Sequence, residues 1–427
     1  MTIPIFLGAL LAAMAIGMPI AFALIICGIA LMAYMNMMDA QIVAQNVLNG
    51  VDNFVLLAAP GFIVAGEIMN AGGLSKRIVR IAVTCIGHVR GGLGYVAILS
   101  ATIIAALSGS AVADAAALSA FLIPMMVAAG HDKARAGGLI ASAAIIAPII
   151  PPSIPFVLFG VLANVSITKL FIAGIAPGVM LAIALCIAWY IVARKENAKP
   201  LPKATAHERW RAFVEGSWAL GLPAIIIFGL KFGVFTPTEA AVVAAVYALF
   251  VAMFIYRELK VRDLFGIFVR AAITTSVVMF LVAAALVSGW LITVSDIAKS
   301  VVALVEPFMG SPTLLMLAIM VLVMVVGTAL DLGPTILILT PILMPIIKAA
   351  NIDPVFFGVL FIVNNAIGLI TPPVGTVLNV VAGVGKISME DVTRGIGPFL
   401  LAESIVLFLM VLFPWLVTGP ANFFLGR

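Results

Sequence analysis

Ala147-Pro148-Ile149-Ile150-Pro151-Pro152-Ser153 lies in the middle of one long apolar segment, and Gly368-Leu369-Ile370-Thr371-Pro372-Pro373-Val374-Gly375 in the middle of another. Proline removes a backbone donor and clashes with the carbonyl one turn earlier, so each segment unwinds at its proline pair. The two stretches are related. A shift of 221 positions pairs Pro151 with Pro372 and Pro152 with Pro373, and also Pro124 with Pro345, Gly174 with Gly395 and Pro177 with Pro398. Five matches at one shift, all in residues that bend or break helices, read as a duplication.

Composition supplies the solvent for these segments. Of 427 residues, 64% are hydrophobic and 10% charged, whereas a soluble domain carries roughly a quarter charged residues. The apolar residues gather in runs of about 20, the length of a membrane-crossing helix, as in Ala219 to Phe235, Ala240 to Tyr256, Ala271 to Val294 and Gly395 to Trp415. The runs lack period-2 alternation, which favours helices over an outer-membrane barrel. The net charge of +5 then reads as basic cytoplasmic loops and not as a nucleic-acid surface. Cys27, Cys85 and Cys186 have no metal-site or disulfide spacing. The amino terminus has no basic n-region and no cleavage site, and reads as mature sequence.

Charge orients the copies. Lys76 to Arg90 holds Lys76, Arg77, Arg80 and Arg90 without an acid, while its counterpart holds Asp296, Lys299 and Glu306. Lys133 and Arg135 stand against Asp132, and their counterpart has Lys348 against Asp353. Basic loops stay in the cytoplasm, so equivalent loops fall on opposite sides. The expectation is an all-α polytopic inner-membrane protein with two inverted repeats, 1–193 and 218–427, an arrangement common in secondary transporters. The basic stretch 194–217 links them in the cytoplasm. Within it His207 to Trp218 forms either an amphipathic helix on the membrane, with Trp210 and Trp218 at the headgroups, or a solvated loop. Ile3 to Met32 is either one long helix or two short ones bent at Gly17-Met18-Pro19, and inverting the second copy favours two, since Pro19 answers Pro237. Both termini then lie in the periplasm.

In each repeat a re-entrant hairpin precedes a broken helix. The first hairpin covers about 91–130 with its tip at Ser108 to Ala111, and its broken helix covers about 136–166. The second hairpin covers about 312–347 with its tip near Gly327 to Pro334, and its broken helix about 355–386. Unwound backbone at membrane depth is tolerated only inside protein or along a cavity. Tips and breaks meeting there offer the oxygen ligands a Na+ ion needs, and helix N-termini that favour an anion. Ser108, Ser110, Thr328 and Thr371 could supply such oxygens or act as packing glue. Asp114 either caps the second arm of the first hairpin or contacts sodium or substrate. A buried carboxylate needs a partner or a function, which holds for Asp331 as well. Asn364 and Asn365 either bind substrate or tie helices. Thr236-Pro237-Thr238-Glu239 has capping-box spacing. Glu67 and Glu403 are expected to pair with basic residues on neighbouring helices or on another subunit.

Gly233-Val234-Phe235-Thr236-Pro237-Thr238-Glu239-Ala240-Ala241, the two proline-pair stretches and Ala65-Gly66-Glu67-Ile68-Met69 together resemble the large membrane (M) subunit of TRAP (tripartite ATP-independent periplasmic) transporters over essentially the whole chain. The resemblance implies a Na+-driven importer of organic acids in a bacterial inner membrane, working as an elevator and needing no other cofactor. Its partners would be a periplasmic substrate-binding (P) protein and a small four-helix membrane (Q) subunit, expected here as a separate polypeptide. The implied sodium sites are Ser108, Gly109, Ser110, Ala147, Ile150 and Pro152 in the first copy and Gly327, Thr328, Asp331, Thr371, Pro372 and Val374 in the second. The substrate candidates are Ser110, Asp114, Ser153, Asn364, Asn365 and Gly375. Sialic acid is the substrate expected on overall resemblance, with C4-dicarboxylates beside it.

Two other readings compete. A carrier or channel that needs no binding protein could also use hairpins, although two inverted copies in one chain suit alternating access better. An intramembrane protease would need a membrane-embedded histidine beside Ser108 or Ser110, or a GxGD motif at Asp114 or Asp331. His88, His131 and His207 all fall in expected polar loops, and neither aspartate has that motif.

Overall fold

The computed structural model describes residues 2–196, 198–295 and 310–425, with Ile297, Val302, Ala303 and Glu306 between them. Asp296 and Lys299 of the charge comparison lie outside the described residues. Regular structure among the described residues is helical throughout. The first copy runs through α1 (Thr2–Ala15), α2 (Ile20–Tyr34), α3 (Ala40–Val51), a 3-10 turn (Phe54–Leu57), α4 (Ala58–Ala71) and α5 (Leu74–Ile86). It continues with α6 (Gly92–Ser108), α7 (Ala111–Ala128), α8 (Lys133–Ala144), α9 (Ile154–Ala163) and α10 (Ile167–Ala193). The rest comprises α11 (Ala206–Lys231), α12 (Pro237–Phe250), α13 (Val261–Val294), α14 (Pro312–Gly327) and α15 (Leu332–Ala349). Last come α16 (Pro354–Gly368), α17 (Thr376–Gly385), α18 (Met389–Leu412) and α19 (Trp415–Leu425). Among the described residues, eight stretches are long and apolar enough to cross a membrane.

Local chemistry sets many of these ends. Asp39, Asp132 and Asp353 cap α3, α8 and α16 by accepting backbone N–H groups at 2.8, 2.9 and 3.0 Å. Thr205 with Glu208 and Thr236 with Glu239 close reciprocal capping boxes on α11 and α12, as the spacing at Thr236 predicts. α1 and α2 are separate helices, with Gly17 at a φ of 81° in the bend. Two expectations change. His207 to Trp218 is neither a separate surface helix nor a loop; it is the first half of the continuous α11. The basic stretch from Lys76 lies mostly in α5, where Arg77 and Arg80 pair with Glu258 and Glu215 at 2.7 and 2.6 Å.

Packing repeats with the same spacing as the sequence, but across the copies. α2 packs on α13 while α4 packs on α12. Likewise α8 lies against α18 and α10 against α16, and α7 against α17 while α15 lies against α9. The exchange of partners is what a two-fold relation between copies produces. Small residues allow the closest approach: a Cβ on Gly138 of α8 would stand 2.6 Å from the backbone of Gly395 in α18. Glu67 of α4 meets Arg270 of α13 at 3.0 Å, the basic partner expected of it. Glu403 is the opposite case. It is fully buried in α18, and neither carboxylate oxygen has a partner among the described residues.

Candidate functional site

The first hairpin turns on three residues. α6 ends at Ser108, Gly109 takes a φ of 62°, and Ser110 caps α7 by accepting the Ala113 N–H at 3.3 Å. Ser110 thus holds the capping role considered for Asp114. The Asp114 carboxylate, 0% exposed, instead accepts the Ser108 hydroxyl at 2.5 Å. Ser108 Oγ in turn accepts the Ser110 N–H at 3.2 Å. The second Asp114 oxygen has no partner among the described residues. A Cβ on Gly109 would lie 2.6 Å from the Pro152 carbonyl oxygen, so glycine lets the tip rest on the break. That break, from Ile145 to Ser153, is wholly buried, and its Pro151–Pro152 peptide is cis. Ala147, Ile150 and Pro152 lie in it. Ser153 closes it, donating to the Pro148 carbonyl at 2.5 Å and capping α9 through the Phe156 N–H at 3.3 Å.

The second copy is looser. α14 ends at Gly327, whose absent Cβ would sit 3.0 Å from the Asn365 side-chain oxygen and 3.4 Å from Gly368. Thr328 donates to the Val325 carbonyl at 2.8 Å. Asp331 stands exposed at the start of α15 and makes no side-chain cap bond. The break after α16 also has a cis peptide, Pro372–Pro373. Thr371 donates to the Ile367 carbonyl at 2.8 Å, Pro372 is half-buried, and Val374 is 41% exposed. Gly375 leads into α17 at a φ of 50°. Asn364 and Asn365 are buried and tie helices together, donating to the Met320 carbonyl at 2.5 Å and the Leu332 carbonyl at 3.3 Å. Both of their side-chain oxygens lack partners among the described residues.

A cavity of about 570 Å³ separates the two tips. Of the sequence-predicted residues, Gly109, Ser110 and Asp331 line it, and the others are not in its lining. The opposite wall comes from α2 and α13, including Phe22, Thr274 and Phe280, which sequence reasoning did not single out. The Phe22 and Phe280 rings meet edge to face at 5.1 Å. The one available signal was Pro19, which starts α2 at this wall. Four helices present their first turns to the cavity: α2 through Ile20 to Phe22, α7 through Ala111 and Val112, α9 through Ile154 and Pro155, and α15 through Leu332 to Pro334. Each helix N-terminus carries roughly half a positive charge and free N–H groups. Among the described residues no lysine or arginine lines the cavity, and Asp331 is its one charged side chain. It is a largely apolar space in which four helix N-termini face one carboxylate.

A family model described as "Tripartite ATP-independent periplasmic transporter, DctM component" matches residues 7–416. The 2,3-diketo-L-gulonate TRAP transporter large permease protein YiaN of Escherichia coli (strain K12) is 56% identical over 420 residues, covering 98% of this chain and 99% of the relative. The sialic acid TRAP transporter large permease protein SiaM of Vibrio cholerae is 38% identical over 410 residues, covering 96% of each. Among solved structures, the Alcanivorax borkumensis YdaH transporter superposes with a TM-score of 0.63 over 89% of this chain and 91% of that one, at 14% identity, a likeness of fold alone. Family and spans together make this a multi-pass inner-membrane transporter component. The chain belongs to the DctM-component family, the large membrane subunits of TRAP transporters.

Proposed function

We propose that this chain imports an organic acid by Na+-coupled, elevator-type alternating access, receiving it from a periplasmic binding protein and working beside a small membrane subunit. The observation that carries the proposal is the cavity: four helix N-termini around a largely apolar space whose one charged side chain among the described residues is Asp331. With Asp331 neutralised by a bound sodium ion, the helix ends attract a carboxylate without fixing it in an ion pair too strong to release. The relative at 56% identity is named for 2,3-diketo-L-gulonate and the one at 38% for sialic acid. A sugar-derived acid of the first kind is therefore the substrate proposed ahead of sialic acid.

Sodium would bind where each tip meets its break. The first set is Ser108, Gly109, Ser110, Ala147, Ile150 and Pro152, and the second is Gly327, Thr328, Asp331, Thr371, Pro372 and Val374. Carbonyls freed from helical bonding are hard ligands suited to such an ion. Ser110 flanks the substrate, with Asp114, Ser153, Asn364, Asn365 and Gly375 acting from outside the cavity lining. The two copies, 1–193 and 218–427, are inverted about the linker 194–217. Helices α6 to α10 with α14 to α18 form the moving body, and α1 to α5 with α11 to α13 form the frame.

The test is uptake into proteoliposomes holding this chain and its small subunit, using labelled 2,3-diketo-L-gulonate, sialic acid and succinate. Saturable uptake that needs both an inward Na+ gradient and the binding protein supports the proposal and ranks the substrates. Uptake indifferent to sodium removes the coupling, and uptake unaided by any binding protein favours the simpler carrier.

A further inference from the structure

A second cavity, of about 630 Å³, opens on the outer flank of the chain where α5, α6 and α10 meet. Its wall is apolar, formed by side chains such as Val89, Leu99, Ile183 and Ile187, with Tyr95 and Tyr190. Ile183 is 55% exposed. A membrane helix is about 10 Å across and 30 Å long and displaces several times this volume, so the groove suits a single alkyl chain and not a packed helix.

One end of the groove is basic. The Arg194 guanidinium stacks on the Tyr190 ring at 4.2 Å and hydrogen-bonds the Tyr190 hydroxyl. Arg90, just beyond Val89, donates to the Arg194 carbonyl at 3.1 Å. The two arginines are thereby held together at the mouth, and neither has a carboxylate partner among the described residues. Glu196, the acid nearest in sequence, is engaged by His131 at 2.6 Å and Arg135 at 4.0 Å. Uncompensated guanidinium groups in fixed positions are built for phosphate.

We propose that this groove holds one anionic phospholipid, with an acyl chain along α6 and α10 and its phosphate on Arg90 and Arg194. Juxtamembrane basic residues favour anionic lipids by charge, and the apolar groove adds the contact that makes the site specific. The lipid lies over α6, with α5 and α10 packed on either side of it.

Native mass spectrometry of the purified full chain, titrated with phosphatidylglycerol or phosphatidylethanolamine of identical acyl chains, tests this independently of transport. The first phosphatidylglycerol is expected to bind roughly tenfold more tightly than phosphatidylethanolamine. The double variant Arg90→Gln/Arg194→Gln should erase the preference while keeping weak binding, and Ile183→Trp should weaken both lipids. Equal binding of both lipids by the natural chain, or an undiminished preference in the double glutamine variant, overturns the proposal. Cys186 lines the groove and gives a second reading that needs no arginine change. In a Cys85→Ser chain, phosphatidylglycerol should slow maleimide labelling of Cys186 and phosphatidylethanolamine should not. Labelling indifferent to both lipids, or blocked by the small subunit instead, also overturns it.

Discussion

The two proline-pair breaks share a sequence pattern and differ in their surroundings. The first is enclosed: every residue from Ile145 to Ser153 is buried, and Ser153 satisfies both the Pro148 carbonyl and the start of α9. The second stands partly open, with Val374 at 41% exposure where the first copy has Ser153, and with Asp331 exposed at its hairpin tip. Prolines decide that a helix breaks. The residues beside them decide whether the break is braced or left loose, and only a braced one can be buried at low cost, because unpaired carbonyls are expensive away from water. The second break is braced differently, by the exposed Asn379 side chain donating to the Val374 carbonyl at 2.9 Å.

The sharpest way to break this comparison is to disturb both tips alike. Gly109→Ala adds a Cβ at a φ of 62° and 2.6 Å from the Pro152 carbonyl. It should cost about 3 kcal/mol or more and abolish uptake. Gly327→Ala meets only the end of the Asn365 side chain at 3.0 Å and should cost about 1 kcal/mol or less. Thermal unfolding in detergent beside uptake checks both, and equal losses would erase the distinction.

The carboxylates come next. Asp114→Ala strands the buried Ser108 hydroxyl and should cost about 2–3 kcal/mol in unfolding measurements. Asp331→Ala removes an exposed group and should change stability by less than about 0.5 kcal/mol while raising the sodium concentration for half-maximal uptake. A destabilised Asp331→Ala with normal sodium dependence would reverse the two assignments.

The smallest effect separates the braces themselves. Ser153→Ala removes a helix cap and should cost about 1–2 kcal/mol, whereas Val374→Ser in the open break should be within about 0.5 kcal/mol of neutral. A gain on placing serine at 374 would show that the second break lacks only the cap that Ser153 gives the first.

Much of the architecture was legible because proline, glycine and capping residues act locally. The bend at Gly17-Met18-Pro19, the capping box at Thr236 and both tips follow from short-range chemistry. What was hidden lies between helices. Lipid is as apolar as a protein core, so no periodic pattern separates a buried face from a lipid face: Leu24 is fully buried and Phe22 is 51% exposed on one uniformly apolar helix. The far wall of the cavity was invisible for that reason. The linker was misread because composition changes at Trp218, although Glu215-Gly216-Ser217 holds nothing strong enough to stop a helix that a capping box has started. Ser110, a favoured capping residue at the turn itself, could have been preferred over Asp114 for that role.

The exchange of helix partners has a consequence for how such a chain is made and how it arose. A ribosome that has finished α10 has produced a half in which α7 and α9 still await α17 and α15. That half remains an incomplete body in the bilayer until its sister is threaded in. Separated at the linker and expressed as two polypeptides, the halves would behave as obligate heterodimer subunits. A single-copy ancestor would have met the same need by pairing with itself, inserting in both orientations.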